Sequence, residues 1–74
     1  MSIRTVQLEA DDIASLSVVD GPVQHVFVLR AGSLTHHRFE PHFASRQPIT
    51  AAEVKALPPW LAELVVRWLG RTML

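Results

Sequence analysis

Hydrophobic and polar residues alternate along the first forty positions of the chain. This period of two residues is the pattern of half-buried strands, and it predicts strands at about 4–9, 13–19, 23–30 and 34–40. The third segment, VQHVFVLR, is apolar at both sets of alternate positions, which is typical of a central strand. The next stretch, EPHFASRQPI, contains two prolines and no period. It predicts a loop that lies along the sheet and buries Phe43 and Ile49.

Two turn signals set the registers of the predicted strands. The pair Asp20-Gly21 is a strong signal for a two-residue type I′ hairpin turn. The sequence Arg30-Ala31-Gly32 predicts a three-residue loop, with the glycine in the left-handed position that closes a hairpin with a bulge. Because a slip of one residue moves every side chain to the other side of a sheet, these turns decide which residues reach the core.

The two registers divide the predicted sheet into two unlike faces. One face is mostly apolar and is expected to form the core: Ala14, Leu16, Val18, Val23, His25, Phe27, Leu29, His37 and Phe39. The other face mixes valines with polar groups: Ser15, Ser17, Val19, Gln24, Val26, Val28, Arg30, Leu34, His36 and Arg38. This second face has an apolar centre and an arginine-bearing rim, as protein interfaces do.

The remainder of the chain predicts two helices. The sequence TAAE at 50–53 is a capping box, so a helix is expected over 51–57. Pro58-Pro59 ends that helix and begins a second one over 59–69, which Gly70 closes. The second helix carries a broad apolar stripe, and Glu63 and Arg67 pair on its other side. The stripe consists of Trp60, Leu61, Leu64, Val65, Trp68 and Leu69.

Together these elements predict an α+β fold. A four-stranded antiparallel meander carries two C-terminal helices packed on one face, and residues 1–74 form a single domain. So small a domain has little net stability, and added burial against a partner would help it.

Composition narrows the classes of function. Seven basic residues balance seven acidic ones, which removes the basic footprint usual for binders of nucleic acid or anionic membranes. Cysteine is absent, and no segment has the length and apolarity of a signal peptide or a bilayer span, so we expect a cytoplasmic protein. Six arginines against one lysine suggest a bacterial or phage origin.

The segment THHRFEPHF holds three of the four histidines. A metal site would need several of them to converge on one point. His25, His37 and His42 are the weak metal candidates, with His25 and His37 as cross-strand neighbours. The alternative is that they fill polar positions near the sheet end. No catalytic motif stands out, and neither an enzyme nor a cofactor is expected.

These observations predict a non-enzymatic module that binds a protein partner or a second copy of itself. The expected partner-binding residues are Gln24, Val26, Val28, Arg30, Leu34, His36 and Arg38. The strands-then-helix layout is similar to that of some small phage-encoded inhibitors of bacterial defence complexes, which implies a regulator or inhibitor.

The alternative is a regulator that binds single-stranded nucleic acid. The strand order, with RQPITAAEVKALPPWL entering a helix from a loop, resembles the single-stranded-DNA-binding transcriptional coactivators, which curl four strands over a C-terminal helix and dimerise. That resemblance implies nucleic-acid binding through the same sheet face. Zero net charge and the lack of exposed aromatic residues on the predicted face weigh against it.

Overall fold

The computed structural model describes residues 3–72. Five strands form one antiparallel sheet in the order of the sequence, and two helices follow. The strands are β1 (Ile3–Ala10), β2 (Ile13–Asp20), β3 (Val23–Arg30), β4 (Ser33–Glu40) and β5 (Phe43–Pro48). The helices are α1 (Ala51–Lys55) and α2 (Pro59–Thr72). The predicted α+β class, antiparallel sheet and C-terminal helix pair are confirmed, but the predicted number of strands is wrong.

The additional strand is β5, which lies in the segment expected to be a loop. A two-residue turn, Pro41-His42, connects it to β4, and Glu40 pairs with Phe43. Neither face of this edge strand is covered, so its sequence needs no alternation, and Pro48 is tolerated because it stands at the end of an edge strand. Phe43 is 59% exposed, so its expected burial is wrong, whereas Ile49 packs against the core.

All four hairpins found in residues 3–72 have loops of two residues. The strands begin at 3, 13, 23, 33 and 43, so the chain reverses direction every ten residues. The β2–β3 loop is Gly21-Pro22, one position later than predicted, with Asp20 opposite Val23. Gly21 has a φ of +58°, and proline cannot adopt a positive φ, which fits a type II′ turn better than a type I′ turn. The later loop position shifts the pairing of β2 with β3 by two residues, so the side chains of both strands stay on the predicted faces.

The β3–β4 loop, unlike the β2–β3 loop, changes which residues lie on each face of the sheet. It consists of two residues, Ala31 and Gly32, and Arg30 pairs with Ser33. Both loop residues have positive φ, +51° and +81°, as a type I′ turn requires. The predicted three-residue loop is therefore wrong by one residue, and every side chain of β4 lies on the face opposite to the one expected.

A substitution tests this loop conformation. Ala31→Asn should raise the free energy of unfolding by about 0.5 to 1 kcal/mol, because asparagine tolerates the left-handed region better than alanine does. Gly32→Ala should lower it by about 1 kcal/mol or more, since a Cβ would meet no atom within 4 Å there and only the backbone conformation opposes it. Urea denaturation of the two variants measures both effects. Equal midpoints would contradict a left-handed pair at 31–32.

The core lies between the middle of the sheet and α2. Leu16, Val18 and Phe27 of the sheet meet Leu61, Val65 and Trp68 of the helix, all at 1% exposure or less. The predicted helix stripe is confirmed, because its remaining members, Trp60, Leu64 and Leu69, pack against the same cluster. Phe39, expected in the core, is 42% exposed on the other side of the sheet.

The helix termini differ in how well the sequence predicted them. The capping box at α1 is confirmed: the Thr50 hydroxyl accepts from the Glu53 N–H at 3.3 Å, and the Thr50 N–H donates to the Glu53 carboxylate at 3.1 Å. Pro59 begins α2 as expected, and Glu63 and Arg67 form the predicted ion pair. α1 ends at Lys55, before the predicted boundary, and α2 continues through Gly70 to Thr72.

Candidate functional site

The sheet surface that faces away from the helices, called the open face below, has no helix packed against it in residues 3–72. The registers define its members: Arg4, Val6, Leu8, Ala10, Ile13, Ser15, Ser17, Val19, Gln24, Val26, Val28, Arg30, Ser33, Thr35, His37, Phe39, Ala44, Arg46 and Pro48. Large apolar side chains are well exposed on it, with Val6 at 53%, Leu8 at 63% and Phe39 at 42%. Val26 and Val28 lie half-buried between these side chains in β3.

Four of the seven predicted partner-binding residues lie on the open face: Gln24, Val26, Val28 and Arg30. The other three, Leu34, His36 and Arg38, lie on the helix-covered face, because the β3–β4 loop is one residue shorter than predicted. Their neighbours in sequence take their places. Thr35, His37 and Phe39 contribute the β4 part of the open face.

Charge is distributed unequally between the two sides of the sheet. Three arginines, Arg4, Arg30 and Arg46, lie on the open face together with His37. The carboxylates of the strands, which belong to Glu9, Asp20 and Glu40, all point to the helix side. The open face is therefore basic although the chain as a whole has no net charge. Net charge alone could not show this, because only the register assigns each charge to a face.

Sequence reasoning missed several members of the open face. Val6 and Leu8 alternate with Thr5 and Gln7, which predicts that the two share one face of the strand but not that this face is the exposed one. Arg46 was not assigned to either face because the sequence predicts a loop for the segment that forms β5. The ten-residue spacing of the turn pairs 11–12, 21–22, 31–32 and 41–42 was the signal that could have recovered both the strand and the β4 register.

The histidines are distributed differently from the prediction. His25 and His37 lie on opposite faces of the sheet and are not neighbours. His25 instead contacts His36, whose ring is stacked at a centroid distance of 5.2 Å, and Nδ1 of His25 lies 3.0 Å from Nε2 of His36. One of these nitrogens donates a proton and the other accepts it. A cross-strand pair of histidines is therefore present, but it joins His25 to His36 and not to the predicted His37.

Apolar groups surround this pair. Phe27 stacks on the His36 ring at a centroid distance of 4.4 Å, and Trp60 of α2 approaches the His25 ring edge-on at 6.4 Å. Burial lowers the pKa of His36 from its ordinary value of 6.5 to about 4, with repulsion from His25 and Arg38 adding to the effect. Burial also lowers the pKa of His25. Both rings are therefore neutral at neutral pH, and each then has one donor and one acceptor nitrogen, which allows the hydrogen bond between them.

The arrangement is not that of a metal centre in the part of the chain described. No group of three or more histidine, aspartate, glutamate or cysteine side chains converges in residues 3–72. The ring nitrogens of His25 and His36 face each other at hydrogen-bond distance, which leaves no space for an ion between them. His37 lies on the open face, and His42 lies in the β4–β5 turn.

The low pKa of His36 makes stability depend on pH. The unfolded chain binds a proton at His36 below about 6.5 and the folded chain only below about 4, so folding stability should fall as pH drops through this window. A shift of this size corresponds to about 3 kcal/mol. Because the ring is only partly buried, solvent screening reduces the expected loss to about 1 to 2 kcal/mol.

Urea unfolding of the wild type and of His36→Phe between pH 7 and pH 4 measures this dependence. The variant should lose less stability than the wild type as pH falls, because it lacks the titrating ring. His42→Gln serves as the control, since His42 lies exposed in a turn, and it should behave like the wild type. Parallel curves for all three proteins would contradict the assignment to His36.

Comparison with protein-family models, with curated proteins and with solved structures found no match to this chain. Within residues 3–72, none of the helices combines the length and the apolar character that crossing a bilayer demands.

Proposed function

We propose that this protein is a small, non-enzymatic regulator or inhibitor that acts in the cytoplasm by docking on a larger protein through its open face. The apolar side chains exposed on that face carry the proposal. Soluble monomers rarely expose large continuous apolar patches. Here Val6 and Leu8 on β1 and Phe39 on β4 are exposed on one face of one sheet, with the half-buried Val26 and Val28 between them. Arginines at its margins provide the polar rim typical of an interface.

Charge favours a larger partner over a second copy of the chain. In a symmetric dimer the same surface is present on both sides, so Arg4, Arg30 and Arg46 would face another basic surface. No strand carboxylate within residues 3–72 is available on the open face to neutralise them. A partner with acidic groups would remove this repulsion and add electrostatic attraction during encounter.

A regulator that binds single-stranded nucleic acid is the second candidate, and one observation favours it. The corrected register places Phe39 on the open face, with its ring stacked on His37 at a centroid distance of 6.4 Å, and Arg46 lies opposite His37. An aromatic group beside a cation can stack a base and contact a phosphate. We rank this candidate second because the remainder of the apolar centre is aliphatic and offers no further stacking surface.

Sedimentation and capture experiments test the proposal. Wild-type protein should sediment as a monomer up to high concentration, and tagged protein should capture a partner from its native host whose complex survives moderate salt. A stable dimer would favour self-association instead. Binding of single-stranded oligonucleotides that weakens steeply with salt would favour the nucleic-acid candidate. A monomer that captures nothing and binds no oligonucleotide would contradict the proposed function.

A further inference from the structure

A shallow depression of about 460 Å³ lies on the open face over β3, β4 and β5. Its lining includes Val28, Arg30, Ser33, Thr35, His37 and Arg46. Five of these six residues carry a hydrogen-bond donor in the side chain, and two of the five are permanently cationic. The depression is therefore a concave, basic and donor-rich site within an otherwise largely aliphatic surface.

The register explains why these donors converge. His37 pairs with Arg46 across β4 and β5, and Thr35 lies two residues along β4 on the same face. Arg30 pairs with Ser33 at the end of β3. The two arginines thus approach the depression from opposite sides. Neither takes part in the two ion pairs found among residues 3–72, which use Arg38 and Arg67.

A depression on the helix side of the sheet differs because most of its polar groups already have partners. It is lined by Asp20, His25, His36 and Arg38 among others, and the last three already have partners in the fold. The two histidines share a hydrogen bond, and Arg38 lies 3.3 Å from the carboxylate of Glu40. The donors around Arg30 and Arg46 have no such partners in the described chain and are exposed, so they are available to bind an external anion.

We propose that this open-face depression binds a carboxylate, supplied by an acidic side chain of the protein partner whose apolar residues cover the neighbouring valines. This inference rests on the proposed function, since it names the chemistry of the partner at the same surface. Arginine forms paired hydrogen bonds with a carboxylate, and a partly desolvated site strengthens them.

A carboxylate fits better than the phosphates of a nucleic acid. Strands of nucleic acid are bound along a groove, with cations that follow the backbone and aromatic groups that stack successive bases. Here Arg30 and Arg46 line one depression, and the surface beside it is mainly aliphatic, with Phe39 as its one aromatic side chain among residues 3–72. One acidic side chain flanked by apolar residues matches that pattern.

Fluorescence anisotropy with a labelled hexaglutamate peptide tests the inference directly. The wild type should bind the peptide at low salt, and Arg30→Ala or Arg46→Ala should each weaken binding about tenfold, as expected for the loss of one charge-assisted contact. Arg71→Ala is the matched control, because it removes the same charge from an exposed position on α2 and should have a much smaller effect. Arg30→Lys should retain part of the affinity.

Three results would overturn the inference: no peptide binding, an equal loss for Arg71→Ala, or much tighter binding of a labelled oligothymidine that depends on the same two arginines. The last result would assign the depression to phosphate. The carboxylate site can also fail while the proposed function stands. If a captured partner is lost on Val28→Asp but retained by Arg30→Ala and Arg46→Ala, the open face is the interface and the carboxylate site is wrong.

Discussion

Phe27→Ala is expected to unfold the protein partly or completely at room temperature. Phe27 has no exposed surface, stacks on His36, and lies in the central strand beneath α2. Truncating a buried phenylalanine costs about 3 to 5 kcal/mol. A domain of this length has a free energy of unfolding of only about 4 to 11 kcal/mol. The loss therefore removes a large share of the total, and the midpoint of thermal unfolding should fall by about 15 °C or more.

Phe43→Ala provides the matched control, because Phe43 is 59% exposed on the edge strand β5. Its midpoint should change by only a few degrees, which corresponds to a loss below about 1 kcal/mol. Circular dichroism followed during heating measures both variants. Similar losses for Phe27→Ala and Phe43→Ala would contradict the position of the core between β3 and α2.

Val28→Asp is expected to abolish partner binding while the chain stays folded. Val28 lies near the centre of the open face and lines the basic depression, so an aspartate there would be buried without solvent in the complex. Leaving a charge desolvated in an interface costs several kcal/mol, which lowers affinity by about a hundredfold or more. It would also repel an acidic partner and occupy the arginines that should contact it.

Val66→Asp is the control for Val28→Asp. Val66 is 54% exposed on α2, away from the open face, and it should retain partner binding. Val6→Asp provides a second test should Val28→Asp fail to fold, because Val6 has almost the same exposure as Val66, at 53%. Capture of the partner by each variant, with circular dichroism to verify folding, measures the effect. Equal capture by Val6→Asp and Val66→Asp would place the interface elsewhere.

The sequence predicted the core more reliably than the turns. Ala14, Leu16, Val18 and Phe27 were expected on the buried face and are buried there, since their alternation is strong enough to tolerate an error in pairing. The helix stripe was equally clear, because apolar residues recur with the helical period and proline marks the start of the helix. Burial of apolar surface depends on local patterns, and those patterns are present in the sequence.

The prediction of which β4 residues belong to the candidate site depended on whether the β3–β4 loop has two or three residues. The rule that glycine closes a bulged three-residue loop favoured the wrong register, because alanine is an unfavourable residue for the left-handed conformation that Ala31 adopts. That error exchanged His36 for His37 and Arg38 for Phe39 on the open face. Local propensity could not resolve the choice, whereas the constant spacing of turns along the chain could have done so.

The strand β5 was missed for a different reason. Its sequence has no apolar period, since both of its faces remain in solvent, and the prolines at 41 and 48 suggested irregular backbone. Its stability comes from pairing with β4 and not from its own side chains. Edge strands of this kind can be predicted from sequence only when the arrangement of the neighbouring strands is already known.

The ten-residue repeat of strand and turn limits how this chain can change in length during evolution. If the 31–32 loop keeps two residues, a residue inserted there enters β4, moves its arginine and histidine side chains to the other face of the sheet and breaks the His25–His36 contact at the same time. If the loop itself lengthens, Arg30 still pairs with Ser33 and every face is preserved. Natural variants of this protein should therefore gain or lose residues inside the turns and keep the lengths of the strands constant.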